Sequence, residues 1–281
     1  MTPTIVGAVL FSALLHAAWN SLAHAVDDRL VGFALIGVVD MVGGGVMALV
    51  AGLPPAGSWP FIVASAALHV AYNLLLMASY QVGEFSQVYP LARGTSPLLV
   101  ALTSVLVLGH DLPVTVLVGI LAVSGGLIAL VFVGGRPGRS DLPALAAALL
   151  TGVMIAGYTV IDGVGVQQTP LLAYIGWMFF LQGPPIAVLA VVRRRDGRLG
   201  ASVRTSWVAA ITGGVISLAA YAIVLWAQTS GALAPIAALR ETSIVFGAII
   251  GALFLGERLG ARRAVAAVAV LAGVLLISLT S

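Results

Sequence analysis

Long apolar runs, broken at short intervals by turn residues and charges, make up almost the whole chain of 281 residues. Ten of them are long enough to be read as bilayer-crossing helices, which need about 20 apolar residues each. They run from Thr4 to Ala25, Leu30 to Leu53 and Trp59 to Gln81, then from beyond Gly83-Glu84 to Gly109-His110-Asp111, and from Leu112-Pro113 to Gly134-Gly135. After Arg136-Pro-Gly-Arg-Ser-Asp141 come Leu142 to Ile161, Pro170 to Val192, Ser206 to Gln228, Leu233 to Leu255 and Ala261 to Leu279. In lipid a continuous apolar run has to be helical, because its backbone groups find partners nowhere else. The pattern therefore predicts an all-α membrane protein with ten transmembrane helices.

Sliding the chain by 147 residues lays Arg93 on Arg240, Thr95 on Thr242, Ser96 on Ser243, Ala101 on Ala248, Leu106 on Leu253, Leu108 on Leu255, Gly109 on Gly256 and Gly126 on Gly273. The ten runs thus form two five-helix repeats, 1–135 and 136–281. An odd number of spans per half turns the second half over, giving the inverted repeat that many secondary transporters use for alternating access around a midplane site.

Composition supports the bilayer as solvent. Charged residues are only 8% and hydrophobic ones 60%, whereas soluble domains carry about a quarter charged residues. No cysteine is present, which excludes a disulfide framework and a thiolate metal site. All thirteen basic residues are arginine, and most stand in short loops, so the basic balance reads as membrane topology rather than nucleic-acid binding. No arginine precedes Arg29, so the first run is expected to be a retained span and not a cleaved signal peptide. Arg29, Arg136, Arg139, Arg193, Arg194, Arg195, Arg198, Arg204, Arg258, Arg262 and Arg263 fall in or beside the loops of one side. By the positive-inside rule that side is cytoplasmic and both termini lie outside. The expected location is the cell inner membrane, multi-pass, and the expected state is a monomer.

A few polar residues interrupt the runs. Arg93 and Arg240 stand inside apolar segments, where an arginine costs about 2.5–3.5 kcal/mol at the bilayer centre. Two guanidinium groups at symmetric positions could hold an anionic group of a substrate, carboxylate or phosphate. They could instead pair with a local carboxylate or snorkel to the interface. Glu241 has no twin, since Gly94 takes its place. It could exchange a proton and couple transport to a gradient, or pair with Arg93 or Arg240. Asp40 is a second candidate for proton coupling, or the partner of an arginine. Pro90 and Pro97 flank Arg93, and proline frees the carbonyl four residues back, so the fourth run is a candidate broken helix; a plain kink is the alternative. His16, Trp19 and Asn20 are echoed by His69, Tyr72 and Asn73 at helical spacing, which puts each trio on one face. Each face could line a cavity or bond to a packed helix. Tyr158, Tyr221, Trp226 and Gln228 are further lining candidates. Gly43-Gly44-Gly45 and Gly125-Gly126 read as packing sites. Phosphate-cradling loops, zinc-protease motifs and nucleophile elbows are missing, and no cofactor is called for.

The turn Leu255-Gly256-Glu257-Arg258-Leu259 followed by the run through Ala272 to Ile277, with its echo Leu108-Gly109-His110-Asp111-Leu112 and Gly125-Gly126, resembles the drug/metabolite transporter superfamily, EamA-type. The resemblance extends over both halves. It implies a ten-helix inverted-repeat carrier, usually an exporter of amino acids or other small metabolites, with a cavity built by helices one, three, four, six, eight and nine. The segments Tyr89-Pro-Leu-Ala-Arg-Gly, Leu239-Arg-Glu-Thr-Ser and His16-Ala-Ala-Trp-Asn resemble a subgroup associated with phosphonate use. The first half departs from the pattern, with His110-Asp111 where the second has Glu257-Arg258. The orientation departs too, because the resemblance implies cytoplasmic termini. The expected activity is secondary transport, outward by that resemblance, of a small polar or anionic metabolite such as an amino acid or organic acid. The alternative is a membrane enzyme acting on a phosphorylated or lipid-linked substrate.

Overall fold

In the computed structural model, residues 1–24, 28–82, 85–132, 138–194, 199–254 and 261–280 are described. The Gly83-Glu84 turn, Gly134-Gly135, Arg136, the loop 195–198 and the Leu255–Gly260 turn lie outside them. The described residues form helices and short turns, with no strand. The helices are α1 Pro3–His24, α2 Arg29–Ala51, α3 Trp59–Val82, α4 Phe85–Leu106, α5 Val114–Ala129, α6 Leu142–Gln168, α7 Leu171–Arg193, α8 Leu199–Gln228, α9 Leu233–Arg240, α10 Thr242–Phe254 and α11 Ala261–Thr280.

Among the described residues eight helical stretches are long and apolar enough to cross a membrane. The fourth run is not one of them, as its polar residues around Arg93 dilute it. Within α11, Ala264–Leu279 is a shorter apolar helical stretch among the described residues. The surface bears Leu49, Val50, Val114, Val265 and Leu279, while Arg93, Asp162, Arg240 and Glu241 are buried. Apolar side chains outside and charges inside suit a lipid solvent.

Close helix packing rests on small residues. On α2, a Cβ at Gly37 would meet Gly183 O of α7 at 2.7 Å, and one at Gly44 would meet Gly176 O at 2.7 Å. Seven residues forward on α2 correspond to seven back on α7, so the two helices run antiparallel with their backbones touching. Gly119 of α5 and Gly273 of α11 approach in the same manner, each set against the other's carbonyl oxygen, at 2.8 and 2.5 Å. Glycine is required at these crossings because any side chain would force the backbones apart. Elsewhere α1 packs on α8, α3 on α6, and α4 on both α5 and α6.

Three run assignments change. The prolines at 90 and 97 sit inside one continuous helix, α4. The interruption falls instead in the ninth run, between α9 and α10 at Glu241. There the backbone tightens: Glu241 N–H donates to Ala238 O at 3.1 Å and Ile244 N–H to Glu241 O at 3.0 Å. The Thr242 hydroxyl donates to Leu239 O at 2.8 Å, which satisfies one carbonyl that the break exposes. The sixth helix also runs past Ile161 to Gln168 and takes Asp162 into the bundle.

Candidate functional site

The α9/α10 break is held by a side chain from the other half of the chain. Arg93 on α4 places Nε 2.9 Å from Glu241 Oε2 as a buried ion pair. One of its terminal nitrogens donates to Ser243 Oγ at 2.7 Å and to Arg240 O at 3.3 Å. Glu241 is therefore neutralised across the interface by Arg93, the pairing that the sequence left as one of two alternatives. Arg93 also stands 5.9 Å from the centre of the Tyr89 ring. Of the two symmetric arginines, this one is fully engaged by the protein.

Arg240, the last residue of α9, is different. It is buried, and among the described residues no carboxylate lies within ion-pair distance of it. Its guanidinium stands 5.2 Å over the Tyr221 ring and interacts with the Tyr158 hydroxyl. A cation over an aromatic face gains about 0.5–2 kcal/mol, and the ring does not neutralise its charge. Arg240 lines a cavity of about 80 Å³.

Aromatic residues wall the cavity beside Arg240. His69 stacks on Tyr158 at 3.9 Å with 22° between the planes, and Tyr221 meets His69 edge-on at 5.0 Å. Tyr72 and Tyr221 both stand edge-on to Tyr158 at 5.9 Å. The hydrogen bonds of the two histidines fix their ring roles. His69 Nδ1 lies 3.0 Å from the Ser65 carbonyl oxygen, which can only accept, so Nδ1 carries the proton. Trp19 Nε1 can only donate, and it donates to His16 Nδ1 at 3.2 Å, so His16 carries its proton on Nε2.

The two sequence echoes are used unequally. His69, Tyr72 and Asn73 on α3 all line the cavity. On α1, His16 and Trp19 line it, but Asn20 turns back and donates Nδ2 to His16 O at 2.9 Å. Tyr158 and Tyr221 line it as well; Trp226, Arg93, Glu241 and Asp40 are not among the lining residues. Asp40 is buried on α2 and accepts from Gln182 Nε2 at 3.3 Å. The walls come from α1, α2, α3, α6, α7, α8 and α9. Thus α2 and α7 contribute where the resemblance implied α4, whose arginine stands behind Glu241.

Sequence reasoning missed several residues here. Asp162 is fully buried on α6 and accepts from the hydroxyls of Tyr174, at 2.8 Å, and Tyr221. Tyr221 thereby stands between a buried carboxylate and the Arg240 guanidinium. The signal for Asp162 was a charge inside an apolar run, hidden by ending that run one residue early. Gln182 of α7 lines the cavity, as do Ser12 and Ser217. The Ser12 hydroxyl is already spent on Ala220 O at 2.7 Å, tying α1 to α8. Among the described residues no three His, Asp or Glu side chains gather as a metal site.

Residues 142–279 match the profile of the EamA-like transporter family. A solved crystal structure has the same fold, with a TM-score of 0.76 and 17% identity over 98% of this chain and 96% of its own. No functionally curated protein matches the sequence. A multi-pass helical bundle with charges gathered around an internal cavity fits that family of membrane transporters. Residues 142–279, just under half of the chain, are thus similar to the EamA-like transporter family.

Proposed function

We propose that the protein is a secondary carrier which binds a small polar or anionic metabolite, such as an amino acid or organic acid, in the central cavity and exports it across the cell inner membrane by alternating access. The observation that carries this reading is Arg240, a buried guanidinium with no carboxylate partner among the described residues, facing an internal cavity. A carboxylate or phosphate would supply the missing counter-charge in a geometry that suits a forked donor. Tyr72, Tyr158, Tyr221 and Trp19 offer ring faces and edges to the remainder of the molecule, and His16, His69 and Asn73 offer polar contacts.

Rocking of two inverted halves, 1–135 and 136–281, is part of the proposal. Its support is the pairing of helices: α1 with α8 has its counterpart in α6 with α3, while α2 with α7 and α5 with α11 each join equivalent helices of the two repeats. Glu241 belongs to the clasp with Arg93, and a proton could reach it only when that clasp opens.

Gradient-driven uptake of radiolabelled amino acids and organic acids into sealed proteoliposomes tests the carrier. The enzyme alternative has one observation in its favour, since His16 and His69 line the same cavity as Arg240. Release of inorganic phosphate from phosphorylated substrates by the detergent-solubilised protein, with no flux into vesicles, would replace the carrier by that reading. For orientation, the arginine-rich side is assigned to the cytoplasm and both termini to the outside. Because the chain has no cysteine, Arg193→Cys gives a single labelling site. It is expected to react with an impermeant maleimide only after the membrane is opened; labelling in intact cells would reverse the orientation.

A further inference from the structure

The second polar feature of the cavity has the opposite character to Arg240. Gln182 of α7 lines the cavity and is 8% exposed; Asp40 of α2 stands behind it and is 7% exposed. Gln182 Nε2 donates to Asp40 Oδ2 at 3.3 Å. That bond leaves Gln182 Oε1 and Asp40 Oδ1 with no hydrogen-bond partner. Two buried acceptor oxygens without a donor are costly, because each has lost its water and gained nothing. The deficit is of donors, and one of the two groups is a carboxylate.

The surroundings supply no such donor. Asp40 lies three and four residues after Gly37 and Ile36, both of which line the cavity, so it shares their face of α2. At that crossing α7 contributes Gly183, whose backbone touches Gly37, and Ile186 lines the cavity beyond. The glycine contact holds α2 and α7 close and leaves no room there for a basic side chain. The equal lengths of α2, Arg29–Ala51, and α7, Leu171–Arg193, set these two helices 142 residues apart, which lays Asp40 on Gln182.

We infer that Asp40 and Gln182 form a subsite for a single positive charge, supplied either by an ammonium group on the molecule that Arg240 holds or by a monovalent metal ion bound beside it. The carboxylate provides one negative charge and the amide a neutral oxygen, which matches an ammonium or an alkali cation in charge. With no cluster of three ligating acids or histidines among the described residues, a divalent metal is not what the arrangement fits. Arg240 and this pair give one cavity a cationic and an anionic station. The inference rests on the cavity being the substrate site, and is independent of whether the protein transports.

Binding to the purified full-length protein in detergent, read as a shift in melting temperature, tests it without requiring flux. One arm compares sodium chloride with N-methylglucamine chloride at equal ionic strength. The other compares a panel of α-amino acids with the matching acids that lack the amino group. In one arm the cation-bearing probe is expected to raise the melting temperature, with Asp40→Asn weakening the apparent affinity about ten- to hundred-fold. Gln182→Met, which removes the amide oxygen at similar volume, is expected to weaken the response in that same arm. An effect in the first arm identifies a free metal ion, and one in the second identifies the substrate's own ammonium group. If neither arm gives a shift that responds to either substitution, the subsite is refuted. Flux failing in vesicles while these shifts persist would refute the carrier and leave the subsite standing.

Discussion

Replacing Arg240 by glutamine is expected to abolish anion binding while leaving the protein folded and inserted. Losing a buried hydrogen-bonded charge costs about 2–5 kcal/mol in affinity, or at least roughly 30-fold. The fold should survive because no carboxylate among the described residues is left orphaned by the change. Only the contacts with the Tyr221 ring and the Tyr158 hydroxyl are lost. Equilibrium binding and melting temperature, measured on the same preparation, separate the two effects. Undiminished binding by Arg240→Gln would remove the guanidinium from the site. Arg240→Lys keeps the charge without the planar fork and should recover only part of the affinity.

The symmetric arginine should behave in the opposite way. Arg93→Met leaves Glu241 buried without its counter-charge, and also strips a donor from Ser243 and from the carbonyl at the α9/α10 break. Breaking a buried ion pair from one side costs about 3–5 kcal/mol. Glu241→Leu should destabilise by a similar amount for the converse reason. The double variant should lose far less than the sum, since two apolar side chains leave no charge unpaired. Unfolding free energies in mixed micelles, arranged as a double-mutant cycle, measure the coupling. Additive losses would mean that the pair is not what holds the break. The two arginines, 147 residues apart, thus make contrary predictions: one for binding with intact stability, the other for stability.

The apolar runs and the duplicated arginine are legible in the sequence because lipid enforces a simple rule: long apolar segments are helices, and a charge within them needs a reason. What distinguishes the arginines is not legible in the same way. Glu241 is the chain neighbour of Arg240, yet adjacent helical residues point about 100° apart, and the carboxylate reaches across to Arg93 instead. Pro90 and Pro97 suggested a broken fourth run, but α4 stays continuous, and the break falls where the sequence carries only Pro235. The difference follows from partners. At the α9/α10 junction the exposed carbonyls find Thr242 and Arg93, and a break in lipid persists only where such donors exist. Asp162 is followed by Gly163, Gly165 and Gln167-Gln168, a composition that suits a loop. In three dimensions Gly163 admits Leu233, Gly165 admits Tyr174, and two tyrosine hydroxyls satisfy the carboxylate, so the helix continues. None of those long-range donors can be read from local spacing.

The glycine crossings of α2 with α7 and of α5 with α11 bear on motion. Where side chains interdigitate, helices are keyed together and cannot slide without lifting apart. At Gly37 and Gly183 backbone lies on backbone, whereas at Gly119 and Gly273 the side chains of Ile277 and Val123 are seated over the glycines. The α5/α11 crossing is therefore keyed, while the α2/α7 seam resists separation but offers little corrugation against small displacements along its length, the kind of shear by which packed helices rearrange. The α2/α7 seam can thus act as a plain bearing. The charged clasp at the α9/α10 break then supplies what a bearing lacks, a detent that holds one position until it is released.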